Sequence, residues 1–295
     1  MRRFLRQAGY LLVILMLLPY VVTVFVNGRN MSASVSGSSP SVTVRQEKGT
    51  KEIPLREYGI GVLAREIDAD AEAEALKAQA VLIRTGIYKR IQEGGSSVAL
   101  TQEYWTRSQM QANWGRAEYG EKYGRLEAAW EDTDGQILLY NGSPALTPYH
   151  RLSSGKTRSA AEALGEEGYP YLRVKDCAQD VEAEEAMTTS MIQGKDMEVT
   201  KKDSAGYVTE VRCGKETVTG EEFRKLHRLA SACFTLQEFE GQTRVTAKGI
   251  GHGLGMSQYT AGKMAEDGKT YEEILTYFFE GTTLEEVAEV VVGEN

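Results

Sequence analysis

The 295-residue sequence predicts an α+β fold, with a single mixed domain that follows an N-terminal transmembrane helix. Three observations carry this prediction: an alternating stretch near the start of the polar body, a long helical pattern after it, and turn dipeptides between short apolar runs. Strand and helix signals are mixed without a regular βαβ alternation, so a doubly wound parallel sheet is not expected.

The first elements of the predicted domain are a hairpin and a long helix. The stretch VTVRQEKGTKEIPL alternates and contains a Lys-Gly turn, which predicts two antiparallel strands. Asp68 or Asp70 is expected to cap the helix, and Gly94 with Gly95 is expected to end it. Between these limits, apolar residues recur at three- and four-residue spacing: Leu76, Ala80, Ile83, Ile87 and Ile91.

Turn and capping signals predict the later elements. The Asn-Gly dipeptide in QILLYNGSPALTPYH is typical of a type I′ hairpin, and YVTEVRCGKETV predicts a second hairpin. Thr219 and Glu222 form a capping box for a helix through Leu229. Thr270 and Glu273 form another before the apolar stretch YEEILTYFFEG.

An apolar segment precedes this domain. Three arginines come first, and the uncharged run that follows them is about long enough to cross a bilayer. A cleaved signal peptide is the alternative, but the run is longer than a usual signal-peptide core and no small-x-small site follows it directly. The sequence therefore predicts a cytoplasmic N-terminus (1–7), a membrane anchor (8–26), a flexible tether (27–41) and an extracytoplasmic domain (42–295).

The composition limits the class of protein and its partners. A content of 41% hydrophobic and 26% charged residues is typical of a globular protein. The net charge of -8, without a basic stripe, argues against a nucleic-acid partner. Three cysteines without C-x-x-C spacing leave two possibilities open, namely one disulfide with a spare thiol or buried, unpaired thiols.

The reactive residue types narrow the chemistry to carboxylates. Histidine occurs only at positions 150, 227 and 252, without H-x-x-x-H spacing, so no catalytic zinc site is predicted. The absence of a G-x-S-x-G elbow argues against a serine triad. Glu66 follows the apolar stretch YGIGVLA and lies where a strand or short helix leads into the long helix. Apolar surroundings would raise the pKa of its carboxyl and suit it to acid catalysis, whereas the N-terminus of the next helix would lower that pKa.

Glycine occupies every second position from 249 to 255 in the stretch GIGHGLGMSQYTAG. One interpretation is a tight bend packed in the core, with His252 hydrogen-bonded there. The other is an extended strip that forms the wall of an open groove, with Ser257, Gln258 and Tyr259 facing the ligand. The groove interpretation predicts that Gly253→Val blocks binding while the domain still folds.

Two long stretches resemble stage II sporulation protein D and its relatives, which include amidase-enhancer wall proteins. They are IPLREYGIGVLAREIDADAEAEALKAQAVLIRTGIY and GIGHGLGMSQYTA, and weaker similarity in HRLSSGKTRSAAEAL and GYPYLRV connects them. The resemblance therefore covers about residues 42–284. This chain departs from the family in having Ile67 and Asp68 where a proline commonly follows the glutamate, and Thr260 in place of a glycine.

The resemblance implies a lytic transglycosylase that cleaves the bond between N-acetylmuramic acid and N-acetylglucosamine in peptidoglycan during engulfment of the forespore. It assigns the catalytic acid to Glu66 and leaves 1,6-anhydro ends on the product. The alternative within the same family is a non-catalytic enhancer that binds peptidoglycan and activates a wall amidase.

The resemblance also implies binding residues, partners and a location. The positions that match groove-lining residues are Arg84, Ser153, Ser154, His252, Ser257, Gln258 and Tyr259. The resemblance therefore favours the groove interpretation of the glycine stretch. No cofactor is expected: some relatives hold zinc through a histidine and cysteines, but here His150 is followed by a stretch, 151–176, that contains no cysteine. The expected partners are peptidoglycan glycan strands and stage II sporulation proteins P, an amidase, and M. The expected location is the mother-cell engulfing membrane, with the body outside the cytoplasm.

Overall fold

The computed structural model describes residues 40–95 and 98–286. The predicted cytoplasmic N-terminus and membrane anchor, and all but the end of the tether, lie outside these ranges, so they stay predictions. Among the residues that are described, no helix combines the length and the apolar character needed to cross a bilayer.

The described chain begins with the predicted hairpin. Strands β1 (Ser41–Gln46) and β2 (Gly49–Pro54) pair antiparallel across a two-residue turn. Helix α1 (Leu55–Glu66) follows directly, and most of it is buried. Two glycines in α1 allow close packing, because a Cβ at Gly59 would lie 2.5 Å from ring atoms of Trp130. The stretch YGIGVLA lies within α1, so it is helical, which is one of the two conformations predicted for it.

Helix α2 (Ala73–Gly94) is the long helix that the apolar spacing predicts, and it lies at the centre of the fold. It ends where Gly94 and Gly95 were predicted to end it, and Gly95 has a positive φ of 74°, which favours glycine. The predicted cap is wrong, since Glu72 holds the cap position without a side-chain bond. Asp68 instead accepts a hydrogen bond from the backbone N–H of Asp70 within the connecting loop. Helix α3 (Arg107–Asp132) packs on both α1 and α2.

The later elements confirm the other hairpins and both capping boxes. Asn141 and Gly142 have the positive φ angles of a type I′ turn. The second hairpin pairs Val208–Cys213 with Glu216–Val218. The remaining helices are α4 (Ala160–Leu164), α5 (Gly220–His227), α6 (Gln258–Glu266) and α7 (Tyr271–Phe278). Both boxes are formed, although α5 ends at His227 and not at Leu229. The remaining strands are β3 (Gln136–Tyr140), β4 (Ser143–Pro144), β5 (Tyr149–His150), β6 (Met187–Ile192), β7 (Met197–Lys202), β8 (Val208–Cys213), β9 (Glu216–Val218), β10 (Phe234–Phe239), β11 (Gln242–Lys248), β12 (Met256–Ser257) and β13 (Thr283–Glu286).

The strands form small sheets that pack around the helices, so the α+β prediction is confirmed. Strand β3 lies between β13 and β4, and β5 pairs parallel with β12. Two three-stranded sheets, β10-β11-β6 and β7-β8-β9, share a separate apolar core with α5. The cysteine question is also resolved, because Cys177, Cys213 and Cys233 are all free thiols.

Candidate active site

Glu66 is the last residue of α1, at the point where the chain leaves the helix for the loop that leads to α2. Its side chain is half-buried. Packing fixes the end of the helix that carries it, because a Cβ at Gly61 would lie 2.6 Å from the carbonyl oxygen of Trp105. The sequence thus places the carboxyl on a rigid support beside an aromatic segment.

The pKa of Glu66 is raised above its ordinary value, chiefly by burial. The charge of Glu103 raises it further, while the charge of Arg65 and hydrogen bonds from Gln102 and Tyr149 lower it. The nearest helix end is the C-terminus of α1, whose dipole also disfavours the carboxylate. The helix α2, whose N-terminus was expected to lower this pKa, begins only after the 67–72 loop, and the net shift of the pKa is upward.

Two clefts meet at Glu66. The first, here called the tryptophan cleft, has a volume of about 530 Å³ and is lined by residues that include Trp105, Trp114, Arg151, Gln258, Tyr259 and Lys263. The second, here called the arginine cleft, has a volume of about 670 Å³ and is lined by residues that include Lys89, Arg90, Gln102, Tyr149 and His252. Because Glu66 lines both, an extended polymer could cross the surface with the carboxyl near its middle.

Gln258 connects the glycine-rich segment to Glu66. Its side-chain amide donates hydrogen bonds to the backbone carbonyl of Glu66, at 2.8 Å, and to Oε1 of Gln79, at 3.1 Å. It is the first residue of α6, which Ser257 caps by accepting a hydrogen bond from the N–H of Thr260. Gln258 is thus held both by its own helix and by α2.

Asp180 is a residue that the sequence interpretation missed. Its carboxylate is fully buried and accepts hydrogen bonds from the N–H of Ser153 at 2.6 Å, from Ser257 Oγ at 2.7 Å and from Thr260 Oγ1 at 2.6 Å. It lies in the acidic stretch CAQDVEAEE, where nothing in the local pattern distinguishes it from exposed carboxylates. Through Ser257 it fixes the start of α6 and thereby the position of Gln258.

The two predicted serines of the 150–155 loop lie away from both clefts. Ser153 is 1% exposed, and its Oγ accepts a hydrogen bond from the N–H of Gly155. Ser154 donates its N–H to the hydroxyl of Tyr207 and its Oγ to the carbonyl of Ala205. Both serines therefore stabilise the loop, and neither of them lines one of the two clefts.

Arg84 is also removed from the clefts. Its guanidinium is 1% exposed and donates to the carbonyls of Thr133, Trp130 and Gln136, while it stacks on the Trp130 ring at 4.1 Å. Burial lowers the pKa of Arg84 to about 10. Its side chain lies on the face of α2 that packs against α3 and joins the two helices, so the structure does not bring the predicted binding residue Arg84 to either cleft.

The alternating glycines have a packing role. Each has a positive φ, between 73° and 115°, so the segment is not an extended strip. A Cβ would lie 2.6 Å from the carbonyl of Ser153 at Gly249, 2.7 Å from Cβ of His150 at Gly251, and within 2.8 Å of Pro148 at Gly255. Three of the glycines therefore pack against the neighbouring 148–153 chain and Gly253 packs against the Tyr207 ring, so the segment does not have the extended form that the groove interpretation assumed.

His252 and Tyr259 do reach the clefts. His252 lines the arginine cleft, and its Nδ1 accepts a hydrogen bond from the N–H of Leu254 at 3.1 Å. Burial lowers the pKa of His252 below its ordinary value. Tyr259 lines the tryptophan cleft, where Lys263 lies over its ring. Of the eight residues predicted for the site, the clefts thus bring together Glu66, Gln258, Tyr259 and His252.

His150 lies in the core beside His252. Burial, together with the neighbouring His252, lowers its pKa to about 3, and its Nδ1 lies 3.2 Å from the carbonyl of Leu254. Its Nε2 is buried and has no hydrogen-bond partner, as would be expected of a nitrogen that binds a metal ion. However, the described residues contain no cluster of three histidine, cysteine or acidic side chains that could hold a metal ion, so they do not fit the zinc of some relatives.

The fold and the site define a class: an α+β protein with one acidic side chain of raised pKa between two open clefts. Comparison with known proteins gives the family. Residues 44–140 match the model of the stage II sporulation protein family. Stage II sporulation protein D of Bacillus amyloliquefaciens is 30% identical, in an alignment that covers 79% of this chain and 75% of the relative. Its counterpart in Bacillus subtilis (strain 168) is 28% identical, over 97% of this chain and 96% of the relative.

An amidase enhancer of Bacillus subtilis (strain 168) is a more distant relative. It is 25% identical, in an alignment that covers 76% of this chain and 40% of the enhancer. The chain therefore belongs to the stage II sporulation protein D family, a family of sporulation proteins, as its two long motifs predicted.

Proposed function

We propose that the protein is a peptidoglycan lytic transglycosylase that cleaves the bond between N-acetylmuramic acid and N-acetylglucosamine. The observation that carries this proposal is the carboxyl of Glu66, whose pKa is raised and which lies where two clefts meet. A carboxyl that keeps its proton closer to neutral pH suits a general acid. Open clefts on both sides suit a polymer that is cut internally.

The reaction needs one carboxyl and no attacking water. Protonated Glu66 donates its proton to the glycosidic oxygen as the bond from C1 of the muramic residue to that oxygen breaks. The resulting carboxylate takes the proton of the C6 hydroxyl, and O6 forms the new bond to C1. The products are a 1,6-anhydro end and a free hydroxyl on N-acetylglucosamine, and Glu66 is protonated again.

The surroundings of Glu66 support both halves of this cycle. Burial favours the protonated acid before the reaction, while hydrogen bonds from Gln102 and Tyr149 stabilise the carboxylate that forms during it. Gln102 also donates to the Tyr149 hydroxyl at 2.9 Å, which orients the pair. Gln258 holds the backbone of Glu66 and acts as a positioning residue.

A second candidate function is supported by the amidase-enhancer relative. In this function the clefts bind peptidoglycan without cutting it, and the bound protein activates a wall amidase. For either function we propose an anchor in the mother-cell engulfing membrane, glycan strands as the ligand, and stage II sporulation proteins P and M as partners.

The two functions differ in product. The full chain in detergent, with Glu66→Gln and Glu103→Gln variants, is incubated with glycan strands whose stem peptides an amidase has removed. Mass spectrometry should find anhydromuramoyl ends with the wild type and the Glu103 variant, and none with Glu66→Gln. Glu103 is an exposed carboxylate that raises the pKa of Glu66 without being the proposed acid, so its variant tests whether loss of a nearby negative charge alone abolishes the product. A wild type that releases no such ends but stimulates an amidase would support the enhancer instead.

A further inference from the structure

The two clefts that meet at Glu66 differ in charge. Apart from Glu66, the tryptophan cleft is lined by five carboxylates and three cations. Each cation already has a carboxylate partner: Arg65 with Glu103, Arg151 with Glu185, and Lys263 with Glu266. This cleft therefore presents an excess of negative charge to a ligand.

The arginine cleft has the opposite character. Lys89 forms an ion pair with Glu93 at 2.9 Å. Arg90, one residue further along α2, is exposed and has no carboxylate partner within residues 40–95 and 98–286. Its charge acts on the phenol of Tyr149, lowering a pKa that burial and Glu66 raise. An unpaired guanidinium and the candidate acid thus line the same cleft as this tyrosine.

The proposed substrate carries its charge on alternate sugars. N-acetylglucosamine is neutral, whereas N-acetylmuramic acid carries a lactyl group on O3. The lactyl group ends in a free carboxylate once an amidase has removed the stem peptide. A guanidinium binds a carboxylate through two parallel N–H···O bonds. The tryptophan cleft, with Trp105 and Trp114 at 6.0 Å, offers aromatic surface to a neutral sugar ring and repels an anionic one.

We propose that Arg90 binds the lactyl carboxylate of the muramic residue that loses its C1–oxygen bond, and that this contact sets the direction of the strand. This inference rests on the proposed function. The muramic residue and the non-reducing part of the strand occupy the arginine cleft. The N-acetylglucosamine that leaves occupies the tryptophan cleft with the reducing part. Arg90 is thereby the residue that makes the site specific for strands without stem peptides.

Binding to chemically matched strands tests this assignment. The full chain carrying Glu66→Gln, which prevents turnover, is titrated in detergent with amidase-treated strands and with the same strands after conversion of the lactyl carboxylates to amides. The acidic strands should bind roughly tenfold more tightly, as expected for a charge-assisted hydrogen bond in a half-open site. Adding Arg90→Gln should abolish this ratio, and Arg90→Lys should restore part of it.

Two further variants make the test specific. Arg45 is exposed on β1, outside both clefts, so Arg45→Gln should leave the ratio unchanged. Arg151→Gln, in the tryptophan cleft, should leave it unchanged as well. The proposal is overturned if the Arg90→Gln variant keeps the ratio. A loss of the ratio in the Arg151→Gln variant would also overturn it, because the strand would then run in the opposite direction.

The outcome can be separated from that of the proposed function. If the wild type produces anhydro ends but Arg90→Gln cuts acidic and amidated strands in the wild-type proportion, this inference fails and the transglycosylase stands. If the wild type produces no anhydro ends but Arg90 still governs the acid-to-amide ratio, the transglycosylase fails and Arg90 remains the carboxylate-binding residue of a glycan-binding protein.

Discussion

Replacing Gly253 with alanine is expected to destabilise the whole domain. Gly253 has a φ of 77°, and a Cβ there would lie within 2.8 Å of the buried ring of Tyr207. Carbon atoms pack at about 3.5–4.0 Å, so the ring would have to move by about 1 Å or more. That movement would also disturb the hydrogen bond from the N–H of Ser154 to the tyrosine hydroxyl.

Three effects contribute to the expected loss in the free energy of unfolding. A left-handed backbone costs a non-glycine residue about 1–2 kcal/mol, overpacking costs about 1–3 kcal/mol, and a lost hydrogen bond costs about 1 kcal/mol. The free energy of unfolding should therefore fall by about 3–6 kcal/mol, a large part of the stability of a typical domain.

Urea unfolding, followed by circular dichroism, measures this loss. Gly268→Ala is the matched control, because Gly268 has a φ of 82° but open space around it. In the control, the free energy of unfolding should fall only by the cost of the backbone strain. If Gly253→Ala is as stable as the control and instead loses glycan binding, the packing explanation is refuted and the glycines do form a groove wall.

The remaining predictions concern Glu66 and its supports. Catalysis needs the protonated acid, so activity should fall as pH rises through the raised pKa of Glu66. Glu103→Gln removes a negative charge that raises this pKa. The variant should therefore move the alkaline limb of the kcat/KM profile to lower pH. An unmoved limb would show that Glu66 does not control it. Arg84→Lys should lower the free energy of unfolding by about 1–3 kcal/mol, because the guanidinium makes buried hydrogen bonds. The same variant should leave KM unchanged, because Arg84 lines neither cleft. A raised KM in steady-state kinetics would contradict this placement. Asp180→Ala leaves Ser257 and two other donors without an acceptor, so urea unfolding should show a loss of about 2–4 kcal/mol, and an unchanged midpoint would contradict the role of this carboxylate.

Local signals in the sequence were sufficient for much of the secondary structure. The Asn-Gly turn and the capping boxes at Thr219 and Thr270 form as predicted, because a turn or a cap depends on residues two to four positions apart. The predicted cap of α2 was wrong for a similarly local reason, because the Asp68 carboxylate accepts a hydrogen bond from the backbone N–H of Asp70 within the loop. The choice of Glu66 came from its motif, and its position between two clefts agrees with that choice.

Tertiary packing decided which of the candidate residues can touch a ligand. The helical spacing of Arg84 does not tell whether its side chain faces a groove or the core. Its hydrogen-bond acceptors, the carbonyls of Thr133 and Gln136, lie some 50 positions away along the chain. The bond from Gln258 to Glu66 joins residues 192 positions apart. By itself the sequence determined the hairpins, the long helix and the motif that contains Glu66, since these depend on neighbours along the chain. The burial of Arg84 and Asp180, the packing of the glycines and the meeting of two clefts at one carboxyl depend on contacts between distant segments, and only the folded structure determines them.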